Sequence, residues 1–510
     1  MFDRRRFLEV LAALGVSQAV PARATDRKVS FDSYPFTLGV ASGYPHPDGM
    51  VLWTRLLGNL DPLAIPVRWE IAADEAMRAI VAAGTAEAQP VWAHSVHVEA
   101  RGLKPDRWYW YRFLAGDAVS PVGRTRTAPA AGAAAVRLRF AFASCQHFEH
   151  GYYTAYKHMV ADDLDLVVFL GDYIYESSLR RNQVRIHERT AEPVTLDEYR
   201  ARYAQYKSDK DLQSAHRAFP WIVTWDDHEV DNDYANDRQE DGTPTEEFLL
   251  RRAAAYQAYY EHMPLPASMR PRGPAMQITT ALGWGTLANF YLLDGRQYRS
   301  PQVCPRKAGG GNEVDPRECI ELRNPSRTML GAAQEAWLDR QFASSRASWN
   351  ILAQPVLMGQ RKGKSGEKQL IWTDSWDGYP AARKRVLESV VTRKLVNPVV
   401  ISGDVHMHFV ADLKLDFDDE QSPVVASEFV GTSITSSPGS WQRNMPAILA
   451  ENPHIKYGSG NHRGYVRASI AGGRFHAELV GLETVKKPES RAEVLARFVV
   501  ENGKAGPQKA

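Results

Sequence analysis

Residues 164–176 read Leu-Asp-Leu-Val-Val-Phe-Leu-Gly-Asp-Tyr-Ile-Tyr-Glu. The run Leu164–Leu170 is short, apolar and rich in strand formers, as expected of a buried strand. It stops abruptly at Gly171-Asp172. Three other apolar runs stop on a polar group in the same way. Val136–Ala143 ends at Ser144-Cys145-Gln146, Trp221–Trp225 runs into Asp226-Asp227-His228-Glu229, and Val399–Ser402 meets Gly403-Asp404-Val405-His406-Met407-His408. Helical stretches around Tyr152–Asp162, Leu196–Tyr206 and Thr245–His262 lie between them. Thr286–Leu293, ending in Asp294-Gly295-Arg296, and Trp349–Ala353 are further strands. This alternation predicts an α/β domain. Loops at the carboxyl ends of such strands converge on one edge of the sheet, so Cys145, Asp172, Asp227 and Asp404 are predicted to meet there.

The texture on either side differs. Residues 30–127 carry short alternating strands with turn residues between them, such as Pro45-His46-Pro47-Asp48-Gly49. The stretch Gly102–Tyr111 and the following Gly123–Thr127 resemble the late strands of a fibronectin type III or immunoglobulin-like sandwich. The small-residue run 128–135 reads as a linker, leaving 136–485 as the catalytic domain. Residues 486–510 read as a polar amphipathic helix, Lys486–Phe498, and a tail.

A chain of 510 residues carries more than one domain. Its net charge of +2 gives no reason to expect nucleic acid as a partner. No apolar run is long enough for a transmembrane helix in the mature chain. Residues 1–24 have the features of an export signal: Arg4-Arg5 before Phe7-Leu8, an apolar stretch, and Ala22-Arg23-Ala24 as a cleavage site. The arginine pair points to the twin-arginine export machinery as a partner, and so to a periplasmic or secreted protein. Three cysteines leave at least one outside any intramolecular bridge. Cys304 and Cys319 flank a Gly-rich loop and are expected to pair, which leaves Cys145 at its strand end.

Several carboxylates converging in a partly buried place repel each other unless a cation neutralises them. Carboxylates suit Ca²⁺, Mg²⁺, Mn²⁺ or ferric iron, whereas a thiolate and a phenolate call for a transition metal. Fe³⁺ beside one or two Ca²⁺ ions fits this ligand list better than zinc alone.

These motifs resemble those of the calcineurin-like metallophosphoesterases. Gly171-Asp172-x-x-Tyr175, Asp226-Asp227-His228-Glu229 and Gly403-Asp404-x-His406 look like their GDxxY, GNHE and GHxH blocks. The departures, with Cys145, Asp227 and Asp404 at exchanged positions, are those of the PhoD-like alkaline phosphatase branch. That resemblance implies a metallophosphoesterase-type β-sandwich flanked by helices, an α/β (α+β) fold with an all-β N-terminal domain. It also implies hydrolysis of phosphate esters by a metal-activated hydroxide. By the same resemblance Cys145, Asp172 and Tyr175 bind ferric iron, and Asp172 and Asp404 share neighbouring metals. Asp227 and Asn232 serve calcium, and His406 matches the second histidine of its block. His228 stands near the leaving group. Arg296 either grips a phosphate oxygen or pairs with Asp294 or another acid. His147, His150 and His408 are expected not to be ligands, and Gly295 stands where the family's block has Thr. Two alternatives stay open: a phosphodiesterase or phospholipase D-type hydrolase on the same core, and a secreted calcium-stabilised binding protein.

Overall fold

The computed structural model describes residues 29–438 and 444–510, so the export signal expected over 1–24 lies outside it. Two mixed sheets face each other. At the centre of the larger, ten-stranded sheet Arg137–Ala143, Leu166–Leu170 and Pro220–Thr224 run parallel, with Val168 between Phe142 and Ile222. Every residue of Leu166–Leu170 is buried, which is why the run is uniformly apolar rather than alternating. In the seven-stranded sheet Ala288–Leu292, Trp349–Ala353, Pro398–Ser402 and Val424–Val430 succeed one another in parallel.

Aromatic rings fill the space between the sheets. Phe140 meets Phe290 edge-on at 5.3 Å, and Phe475 stacks on Phe429 at 5.4 Å. Such pairs add about 0.5–1.5 kcal/mol beyond the area they bury. Alternate residues of the second sheet point outward. Tyr291, Leu352 and Val400 pack there against Leu338 and Phe342 of helix Ala332–Ser344 and Val386 and Leu387 of helix Pro380–Thr392. On the outer face of the first sheet, Tyr156 and His216 pack on Trp221, and Tyr256 stacks on Trp225 at 4.3 Å. Helix Leu196–Lys207 starts at a reciprocal cap between Thr195 and Glu198.

The N-terminal β structure is present but is not a free-standing sandwich. Val40–His46, Gly49–Arg55 and Ser95–Ala100 form one layer, and that layer continues the ten-stranded sheet. Ser42 and Gly43 pair in parallel with Pro220 and Trp221. The second layer holds Ile65–Ala72, Ile80–Ala88, Trp108–Ala115 and Gly123–Arg126. Gly43 permits the contact between layers and domain, because a Cβ there would lie 2.7 Å from the Trp221 carbonyl oxygen.

The expected C-terminal helix is absent. Ala492–Glu501 is a strand antiparallel to Arg474–Leu482, extending the large sheet. Ala496, Phe498 and Val500 share its buried face, while Arg497 pairs with Glu478 across the strands. A sheet edge able to take the Leu-Ala-Arg-Phe-Val-Val run outweighs the helical propensity of Glu-Val-Leu-Ala. Cys304 and Cys319 are disulfide-bonded, and Cys145 is free and buried.

Candidate metal centre and active site

The parallel strands of both sheets deliver their carboxyl ends to one edge, where Ser144 bridges Ser433 across the sheets. Cys145, Asp172 and Asp404 each follow a strand end, and all three have left-handed backbones, with φ of 59°, 57° and 64°. His406 shares this conformation at 54°. For residues with a Cβ this costs of order 1–3 kcal/mol each and persists only where the surroundings enforce it. Here Cys145 N–H donates to the Gly171 carbonyl at 3.1 Å and Gln146 N–H to that of Asp172 at 3.0 Å. Glu229 ties the next loop in: its carboxylate accepts from the backbone N–H groups of Asp172, Tyr173 and Asp226. Gly171 must be glycine, because its φ is 102° and a Cβ would lie 2.6 Å from Asp226 N.

The side chains then converge. Donor atoms of Cys145, Asp172 and His406 lie within 4.8 Å of one another, as do those of Asp172, Asp227 and His228. The Tyr175 hydroxyl sits 2.8 Å from Asp172 Oδ2 and 3.1 Å from His406 Nε2, and accepts from Ser436 Oγ at 2.9 Å. His406 Nδ1 is 2.7 Å from the Ser437 carbonyl, which can only accept. Nδ1 therefore carries the proton, and the Nε2 lone pair faces the cluster.

The electrostatics are those of a site built around positive charge. Burial, reinforced by Asp227, Asp226 and Glu229 against the pull of His228, pushes the Asp172 carboxyl far above its usual range. Burial and then Asp226 and Asp227 do the same to Asp404. Burial and the neighbouring Asp172 raise both the Cys145 thiol and the Tyr175 phenol. Asp227 behaves oppositely: burial opposes its charge, but Arg296 and His228 outweigh it and hold the carboxyl low. His228 is likewise disfavoured as a cation by burial, yet Glu176, Asp227 and Asp172 raise its pKa well above the ordinary value.

Arg296 is surrounded by carboxylates. It is wholly buried, with Nε 2.5 Å from Asp226 Oδ1, Nη1 3.0 Å from Asp374 Oδ1, and Nη2 2.8 Å from Asp374 Oδ2. Its guanidinium pairs with acids, though not with Asp294, to whose Oδ1 Arg296 donates its backbone N–H. Asn232 donates its amide to Glu240 at 2.9 Å and its backbone N–H to Glu176. His408 accepts from Thr432 N–H inside the second sheet, away from the cluster. His147 and His150 join none of the potential ligand groups found among the described residues.

Several participants carried no assigned role in the sequence. Glu176, the residue directly after Tyr175, accepts from His228 Nδ1 at 2.7 Å. Asp233 and Asp374 gather near Asp227, but guanidinium groups already neutralise them: Arg296 and Arg299 pair with Asp374, and Arg306 with Asp233. Ion pairs thus clamp that triad, and Asp227 belongs both to it and to the group with Asp172 and His228. By contrast Asp172 Oδ1 and Asp227 Oδ1 are buried and accept no hydrogen bond among the described residues. Unsatisfied buried carboxylate oxygens beside a thiol, a phenol and an unprotonated imidazole nitrogen fit a bound metal.

Residues 140–479 match the PhoD-like phosphatase family, and residues 21–129 match the N-terminal domain of PhoD-like phosphatases. Alkaline phosphatase D of Bacillus subtilis (strain 168) is 46% identical over 528 aligned residues, covering 100% of this chain and 89% of that protein. A solved structure described as that of PhoD superposes with a TM-score of 0.89 at 47% identity, covering 94% of this chain and 93% of the other. Fold, strand-end site and these likenesses together define a phosphoric ester hydrolase. The chain belongs to the PhoD-like phosphatase family, whose chemistry is metal-dependent, and its substrate is a phosphate ester.

Proposed function

We propose that this chain is an exported phosphoesterase whose centre holds Fe³⁺ with one or two Ca²⁺ ions. The observation that carries the reading is the meeting of Cys145, Asp172 and His406 donor atoms within 4.8 Å, with the Tyr175 hydroxyl against two of them. Thiolate and phenolate select a charge-dense transition metal, so Cys145, Tyr175 and Asp172 would hold the iron, with His406 Nε2 beside them. Asp172, Asp227 and Asp404 offer the hard oxygens that suit calcium, and Asn232 is the further candidate on that side. When bound, such metals supply Lewis acidity toward the phosphoryl oxygens and toward water.

The protein's own groups do the rest. Glu176 holds the His228 imidazolium by Nδ1, leaving Nε2–H as the group able to protonate a leaving oxygen. Arg296, fixed by Asp226 and Asp374, keeps Asp227 ionised. Glu229 locks the Asp172 and Asp226 loops so that their side chains cannot drift apart under mutual repulsion. Export by the twin-arginine route rests on Arg4-Arg5 and Ala22-Arg23-Ala24.

The decisive experiment is metal analysis of purified protein, with visible absorption and hydrolysis of paired mono- and diester substrates with and without Ca²⁺. Bound iron with a ligand-to-metal charge-transfer band and Ca²⁺-dependent turnover is the expected result. A colourless protein that hydrolyses neither ester would favour the calcium-stabilised binding protein instead.

A further inference from the structure

Beside the metal centre lies a separate cavity of about 600 Å³. Its wall carries His150, Arg180, Arg181, Arg463 and Lys486, and no Asp or Glu lines it among the described residues. Arg463 is only 8% exposed, yet its guanidinium is bonded to the carbonyl oxygens of Ser436 and Gly460 rather than to a carboxylate. Arg180, Arg181 and Lys486 make no salt bridge within the described residues, whereas Arg200, Arg296, Arg299 and Arg383 do. Like charges gathered around a concave wall without counter-charges repel one another, and an anion that enters relieves that repulsion. Arginine forks are suited to gripping phosphate oxygens in pairs.

The cavity is not remote from the chemistry. Ser437 lines it, and the Ser437 carbonyl holds His406 while its N–H donates to His150 Nδ1 at 3.3 Å. The preceding Ser436 bonds Tyr175 on one side and Arg463 on the other. One two-residue strap therefore forms both the edge of the metal centre and the wall of the basic cavity. An anion in the cavity sits next door to a phosphate at the metals.

We propose that this basic cavity is a second phosphate subsite: it binds a phosphate group carried by the substrate itself while another phosphate of that molecule lies at the metal centre. The inference rests on the phosphoesterase reading and adds the substrate class, molecules bearing two or more phosphates. Arg180, Arg181 and Lys486 reach the distal phosphate from the exposed rim, and Arg463 meets it from within.

The test compares alkanediol bisphosphates of three to eight carbons with the matching alkyl monophosphates, in wild type and in R180Q/R181Q and K486Q proteins. Phosphate release is measured at constant ionic strength. The wild type is expected to prefer the best bisphosphate at least tenfold in kcat/KM, and the variants to lower that ratio by tenfold or more. R340Q/R346Q, the same loss of charge at exposed positions outside the cavity, should keep the ratio. Inhibition by inorganic phosphate is measured in parallel. A ratio unchanged by the cavity variants overturns the subsite, as does an equal fall in the control, which would mean general attraction only. Weaker inhibition by inorganic phosphate with an unchanged ratio would assign the cavity to free anions and overturn it too. If the wild type hydrolyses none of these esters, the phosphoesterase reading itself fails, an outcome distinct from turnover without a preference.

Discussion

The Tyr175 hydroxyl and His406 Nε2 meet at 3.1 Å although they are 231 positions apart in the chain. Each comes from a loop just past a parallel strand end, in different sheets, so only the facing of the two sheets brings phenol and imidazole together. A phenol hemmed in by Asp172 and Cys145 resists ionising unless a cation sits beside it. Tyr175→Phe should therefore weaken or shift the visible charge-transfer band, and Cys145→Ser should lose most bound iron and most activity while the fold persists. Iron content by elemental analysis, with circular dichroism for the fold, checks both. Full iron content and near-normal turnover in Cys145→Ser would remove the thiol from the site.

The disulfide between Cys304 and Cys319 closes a loop that touches the acidic clamp directly: Gly311 N–H donates to Asp233 Oδ2 at 2.8 Å, and Arg306 pairs with the same oxygen at 3.0 Å. Closing a loop of this length is worth about 3 kcal/mol at most through the unfolded state. Replacing both cysteines by serine should lower the melting temperature more than it lowers kcat, since Arg306 and Gly311 still reach Asp233. Thermal unfolding and turnover measured on the same preparation separate the two effects.

Lys207 is buried, with its ammonium 4.3 Å from the centre of the Trp53 ring and 3.4 Å from the Tyr173 hydroxyl, and it pairs with no carboxylate among the described residues. Burial pulls its pKa down to about 7. In the unfolded chain the same group holds its proton up to about 10.4. Between those values the unfolded state binds the extra proton, so this residue makes stability rise with pH from about 7 to 10. At neutral pH and below it is destabilising. Lys207→Met should raise stability at pH 7 by a few kcal/mol, less whatever the Trp53 contact supplied, and should flatten the rise between pH 7 and 10. Denaturant titrations at several pH values check both features; an unchanged slope would place the proton elsewhere.

Much of the site was legible because strands buried on both faces are uniformly apolar, so a polar residue at the end of one stands out. Cys145, Asp172 and Asp227 announce themselves this way, as does Asp404, although Asp404 joins none of the potential ligand groups among the described residues. Asp374 does not. It lies in a turn between the strand Lys368–Trp372 and a short helical turn at Trp376–Gly378, and its importance comes from Arg296 and Arg299, 78 and 75 positions away. Arg296 was ambiguous for the same reason, since a motif shows that a guanidinium is present but not which carboxylates surround it. The C-terminal strand Ala492–Glu501 was misread as a helix because its local residues suit either state, and the open edge at Arg474–Leu482 decided between them.

His228 carries the most specific chemical prediction. Its Nδ1 is held by Glu176 at 2.7 Å, and its ring lies 4.1 Å from that of Tyr175. As a charged acid it matters most when the leaving group is a poor one, such as an alkoxide; a nitrophenolate leaves with little help. His228→Ala should slow alkyl phosphate hydrolysis by about 100- to 10,000-fold and nitrophenyl phosphate far less, with metal content unchanged. Because Glu176 is the strongest influence raising the His228 pKa, Glu176→Gln lowers it. The acid then loses its proton at lower pH, so the alkaline limb of kcat/KM for alkyl esters should move down while that for nitrophenyl esters stays put. Equal losses on both substrates would make His228 a holder of the phosphate rather than a proton donor. Loss of metal in His228→Ala would make it a ligand, consistent with its place within 4.8 Å of Asp172 and Asp227 donor atoms.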